Sequence, residues 1–103
     1  MAQYIMQILH AQFMIVWSWG FHETSIIENG LSFRVHGFKF KGKVEIRHNK
    51  ENNLFDIRLI KNRKIVEEIK DVYENQLVNV IDFHVEKVCD YEDKVKEKYL
   101  LIG

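Results

Sequence analysis

Five histidines and one cysteine are the side chains of this chain best suited to metal binding and proton transfer, and their spacing scatters them. His10 and His22 stand twelve residues apart, roughly 18 Å along a common helix, too far to hold one ion. His84 falls at the edge of an apolar helical face, where it reads as a hydrogen-bonded core histidine rather than a ligand. Asp82 and Glu86 flank it at two-residue offsets, which points them away from it. His36 and His48 fall near strand ends, and a loop or solvent-facing place accounts for both. Cys89, beside Val88, reads as a small buried hydrophobe.

Cationic chemistry is concentrated in Phe38-Lys39-Phe40-Lys41-Gly42-Lys43, which interleaves aromatics with lysines as nucleic-acid-binding surfaces do. In a strand, side chains alternate, so Phe38 and Phe40 face one way and Lys39, Lys41 and Lys43 the other. Base stacking and phosphate contact then cannot share a surface. What survives is a sheet face bearing Lys39, Lys41, Lys43 and Arg47, with Arg34 alongside, able to contact a polyanion without reading bases. The simpler role for such a face is to keep strands in solution and apart. An acidic stripe, Asn75, Asn79, Asp82, Glu86, Asp90, Asp93 and Glu97, reads as the solvated face of a helix, with docking to a basic partner as the sharper alternative.

The sequence carries no glycine-rich phosphate loop, no His-Glu-x-x-His, no Cys-x-x-Cys and no Gly-x-Ser-x-Gly. The expectation is a non-enzymatic protein without a cofactor.

The elements that would position these residues begin with an unusual run. Residues 1–22 contain no Asp, Glu, Lys or Arg. Gln3, Gln7, His10, Met14, Ser18, His22, Ser25 and Asn29 recur at steps of three and four, which predicts one amphipathic helix ending at Asn29-Gly30. The alternative breaks the helix at Gly20 and lets Asn29-Gly30 turn a hairpin. Ile5, Leu9, Phe13, Val16, Trp17 and their neighbours cover more than half of the helix circumference, so cover must come from more than one direction. Lipid does not suit, because Gln3, Gln7, His10 and Gln12 interrupt the roughly 20 apolar residues a span needs. A signal peptide does not suit either, for want of a basic region before the run. A second copy of the chain is the expected cover, meeting Phe13, Met14 and Trp17.

From Leu31 the hydrophobic period becomes two. Leu31, Phe33 and Val35 alternate with polar residues, and so do Phe38, Phe40, Val44 and Ile46. Gly37 marks the turn between those strands, and Gly42 marks a bulge or a close approach. Two further strands, 54–61 and 64–70, fold around Asn62-Arg63 with Ile60 opposite Ile65, Leu59 opposite Val66 and Arg58 opposite Glu67. The helical period returns from Glu74, with Leu77, Ile81, Val85, Val88, Val95 and Tyr99 on the apolar side.

The order predicts an α+β two-layer sandwich, helix, four-stranded antiparallel meander, helix, with both helices on one sheet face and residues 1–103 forming a single domain. Double-stranded RNA-binding domains share part of that order but open their last helix with a lysine cluster. Here it opens Glu74-Asn75-Gln76-Leu77 with no basic residue before Lys87, so the topology carries no such assignment.

Net charge is zero but unevenly spread: residues 34–64 hold ten bases against three acids, and residues 65–103 hold ten acids against five lysines. Such two-sidedness bears on partners, not on fold. One cysteine allows no internal disulfide, so the expected compartment is the cytoplasm. The expected function is an interaction or structural protein that self-associates through its first helix. The alternative is sequence-nonspecific binding of nucleic acid or another polyanion through the basic sheet face.

Overall fold

The structure is a computed structural model and describes residues 1–86. The apolar amino-terminal run forms two short helices, α1 (Ala2–Ala11) and α2 (Phe13–Ser18), parted at Gln12, where the backbone leaves helical geometry (φ −126°, ψ 46°). Gly20 then takes φ +67°, a conformation that L side chains resist, and the chain turns out of the helix. It enters a strand, β1 (His22–Ile27). The single helix to Asn29 is thereby corrected, and the hairpin alternative holds: β1 pairs with β2 (Gly30–His36) around Glu28-Asn29, with Asn29 left-handed at φ 58°. Ser25 and Asn29 kept the helical phase, but Thr24, Ile26 and Ile27 beside them are β-branched and favour the strand.

Three more strands, β3 (Lys41–Asn49), β4 (Leu54–Lys61) and β5 (Lys64–Val72), complete an antiparallel sheet in the order β1-β2-β3-β4-β5. A short 3-10 turn, Glu74–Gln76, leads into α3 (Leu77–Val85). The class is α+β, with five strands and three α-helices among the described residues where four and two were expected. The fifth strand is β1, taken from residues read as helix.

Alternation sorts the sheet into two faces. Leu31, Phe33, Val35, Val44, Ile46, Phe55, Ile57 and Leu59 are buried on one of them. Ile5 and Leu9 of α1, Val16 of α2, Trp19, and Leu77, Val78, Ile81 and Val85 of α3 join them in one core, so the helices share that face. Phe40 is partly buried against this core, and Val88, expected in it, lies outside the described residues with Val95 and Tyr99.

Register holds across β2, β3 and β4. At β4–β5 the hairpin closes as predicted, Lys61 opposite Lys64 and Ile60 opposite Ile65, and then slips by one. Leu59 faces Glu67 and Arg58 faces Glu68, not Val66 and Glu67. The extra residue leaves Val66 exposed and brings Ile69, partly buried, opposite Ile57. A second shift, at Asp71 (φ 59°), places Val72 opposite Phe55 and inside the core.

The predicted strand through Phe38 and Lys39 is also corrected, because β3 begins only at Lys41. Residues 37–40 form a loop that docks on the end of α3. The Lys39 and Phe40 amides donate to the Val85 carbonyl at 2.8 and 3.1 Å, and the Phe38 amide donates to the Glu86 carboxylate at 2.8 Å. This exposed carbonyl end of a helix is where backbone donors are needed. Among the described residues no helix is long and apolar enough to cross a membrane.

Candidate functional site

Two surfaces stand out, one apolar and one cationic. The apolar one is the outer side of α2, where Phe13, Met14 and Trp17 are 49%, 73% and 71% exposed. Offsets of three and four residues set Met14 and Phe13 beside Trp17 on one helical face. His10 stacks on Phe13 with ring centroids 6.3 Å apart. Beside them lies a cleft of about 250 Å³, floored by Met6, Leu9, Val16 and Phe21 and walled by Phe13 and Trp17. The inner side of the same segment is pinned. Trp19 is fully buried, its ring stacks on Phe33 at 6.3 Å, and its indole N–H donates to the Asp82 carboxylate at 2.9 Å. The exposed aromatics therefore sit on a fixed support.

The five cations expected to form one sheet face do not form one surface. Lys39 lies in the loop on the helix side, its ammonium 4.7 Å from the centre of the Phe83 ring of α3. Arg34 pairs with Glu23 at 3.2 Å, and Lys43 and Arg47 flank Glu45 at 3.7 and 3.5 Å. Farther across the face, Arg58 binds Glu68 at 2.7 Å and Lys70 reaches the same carboxylate at 3.5 Å. The Arg58 hydrogen bond holds the Glu68 carboxyl below the ordinary carboxylate range; burial opposes it and the Lys70 charge assists. Glu45 was readable between Lys43 and Arg47 on the same parity. Glu23 was hidden by its assignment to a helix.

Three of those cations nonetheless converge elsewhere. At the end of the sheet formed by His36, the start of β3 and the β4–β5 turn, a hollow of about 730 Å³ is lined by Arg34, Lys41, Lys43, Lys61 and Arg63. His22 and His36 also line it, and no carboxylate does among the described residues. The Nδ1–H of His22 donates to the Gly20 carbonyl at 2.6 Å, which leaves Nε2 as the nitrogen available to a ligand. Lys61 and Arg63 were not singled out from the sequence, although the predicted Asn62-Arg63 turn carries both to this end of the sheet. His22 could not be placed there while it was read as helical.

Two other histidines are held by neighbouring acceptors. His84 Nδ1 bonds the Val80 carbonyl at 2.9 Å. His48 Nε2 bonds the Asn53 side-chain oxygen at 2.7 Å, and its ring meets Phe55 at 5.2 Å. His22 stands on β1, so the helical distance to His10 does not apply. Among the described residues no three His, Cys, Asp or Glu side chains cluster to hold a metal ion. The acidic stripe is corrected in part: Asp82 and Glu86 are fasteners, to Trp19 and Phe38, rather than solvated ornaments of a helix. Cys89, Asp90, Asp93 and Glu97 lie outside the described residues.

The chain matches no protein family, no curated protein and no solved structure.

Proposed function

We propose that this is a non-enzymatic, cytoplasmic interaction protein that acts as a homo-oligomer, at least a dimer, joined through α2. The observation that carries this reading is the exposed trio Phe13, Met14 and Trp17 beside an apolar cleft, on a support fixed by buried Trp19. A protruding aromatic next to a cleft is self-complementary: about a two-fold axis, Trp17 of each copy enters the cleft of the other, and every contact is made twice. The surrounding segment has no Asp, Glu, Lys or Arg from residue 1 to 22, so the contact involves no charge to desolvate. An aromatic core of this kind is where interface energy concentrates.

Light scattering across a concentration series tests it. The expected result is a defined oligomer that persists at about 1 M salt, where charge contacts are screened. Met14→Glu and Trp17→Glu should each dissociate it while leaving circular dichroism unchanged, because both side chains stand in solvent in the single chain. A monomer at every accessible concentration removes the proposal.

The polyanion alternative, a single basic sheet face, has less support. Lys39 is off the sheet face, and Arg34, Lys43 and Arg47 each have a carboxylate partner.

A further inference from the structure

We infer that the cationic hollow at the end of the sheet is a binding site for a compact oligophosphate, of the nucleoside diphosphate or triphosphate kind. The site is separate from the α2 contact and does not rest on it.

The first reason is charge left uncompensated. Lys41, Lys61 and Arg63 line the hollow with no ion-pair partner among the described residues, while Arg34 is paired with Glu23 and Lys43 with Glu45. Two of the lining cations also stand directly opposite one another in the ladder, Arg34 facing Lys43 across β2–β3. Like charges in that relation destabilise a sheet. An anion bound among them reverses the sign of the interaction.

The second reason is the turn at the lip. Asn62 and Arg63 both have positive φ, 53° and 65°, the geometry of a two-residue hairpin turn whose second position favours glycine. The chain instead carries arginine there, at a conformational cost, and so presents a guanidinium suited to bidentate phosphate contact.

The third reason is shape. Gly42, which also lines the hollow, lets β3 lie close to its neighbours, since a Cβ there would meet the Ile60 carbonyl oxygen at 2.6 Å and the Phe40 ring at 2.8 Å. The lining runs from β1 to the end of β4, three strand spacings or roughly 14 Å across. A volume near 730 Å³ lies within the range of small-ligand sites. Cations gathered in a hollow of that size fit a short chain of phosphates. A long backbone would call for cations spread along a face, and there the structure pairs them with acids.

Calorimetric titration with pyrophosphate and with ATP, at about 50 mM salt, where phosphate contacts are strongest, tests the site. The expected result is saturable binding of one ligand per chain, weakened at least about tenfold by Lys41→Glu combined with Arg63→Glu. Lys50→Glu, an equal change of charge per residue on the β3–β4 turn, should leave affinity within about twofold. Lys61→Gln with Arg63→Gln supplies a milder variant if the glutamates perturb the fold. No saturable binding of either compound, or equal loss in the hollow and Lys50 variants, overturns the inference. So does duplex DNA that binds and is not displaced by ATP, because the ligand would then be an extended polyanion.

Discussion

Trp19 and Asp82, 63 residues apart in sequence, are joined by a hydrogen bond of 2.9 Å from the indole nitrogen to a carboxylate oxygen. The indole is fully buried, and a buried indole N–H requires an acceptor. A single bond thus ties the segment after α2 to α3 and fixes how the exposed aromatics are presented.

Removing that acceptor strands the indole N–H in the core. Asp82→Ala should lower unfolding free energy by about 1–3 kcal/mol, whereas Asp82→Asn, which keeps an acceptor oxygen, should lose less. Urea denaturation of the two variants measures the difference. Equal losses would mean that the carboxylate stabilises through charge, not through this bond.

Gly30 carries a different constraint. Its place is fixed by neighbouring backbone, since an added Cβ would overlap the Ile46 carbonyl oxygen on β3. The Asn29 carbonyl just before it accepts the His48 amide at 2.8 Å, so the strands cannot part there without losing a bond. Gly30→Ala should cost at least about 2 kcal/mol, in the upper part of the overpacking range. A thermal or urea midpoint indistinguishable from that of the parent would show that β2 moves aside freely.

Much of this architecture was legible wherever hydrophobic period and burial act together. Phe33, Val44 and Ile46, on the apolar parity of their strands, are buried because alternation leaves only one face apolar, and Ile81 and Val85 are buried because the 3.6-residue period puts them on the apolar side of a helix. The amino-terminal reading failed because residues 1–29 satisfy a helical period on one side, while the break is set by Gly20 and by a non-helical Gln12, which that period does not register. β5 slipped because bulges at an edge strand are set by which residue must reach the core, here Ile69 and Val72, and not by pairing chemistry near the turn.

The candidate sites were legible by residue type but not by grouping. Phe13 and Trp17 belong to an apolar arc too wide for one sheet to cover, and they are exposed together with Met14 at its border. The hollow was not foreseen, since it gathers one end of β1, β2, β3 and β4, and only the sheet order brings those ends together. Asp82 and Glu86 looked like solvated acids because their partners, Trp19 and the Phe38 amide, are distant in sequence.

The last prediction concerns acid. Arg58 donates to Glu68 at 2.7 Å and, with Lys70 nearby, keeps that carboxyl below its ordinary range. A carboxylate with a depressed folded-state pKa contributes stability that is fully present above its unfolded value of about 4.3 and is lost as pH falls through the folded value. Glu68→Gln should therefore be less stable than the parent near about pH 7, and the gap should close on acidification below about pH 4.3. The pair stands at the surface, so the gap should also shrink with added salt. Urea midpoints of both proteins across that pH range isolate Glu68, because every other carboxylate is common to the two. A gap of constant size at all pH values would assign the loss to packing of the side chain on the sheet and not to its charge.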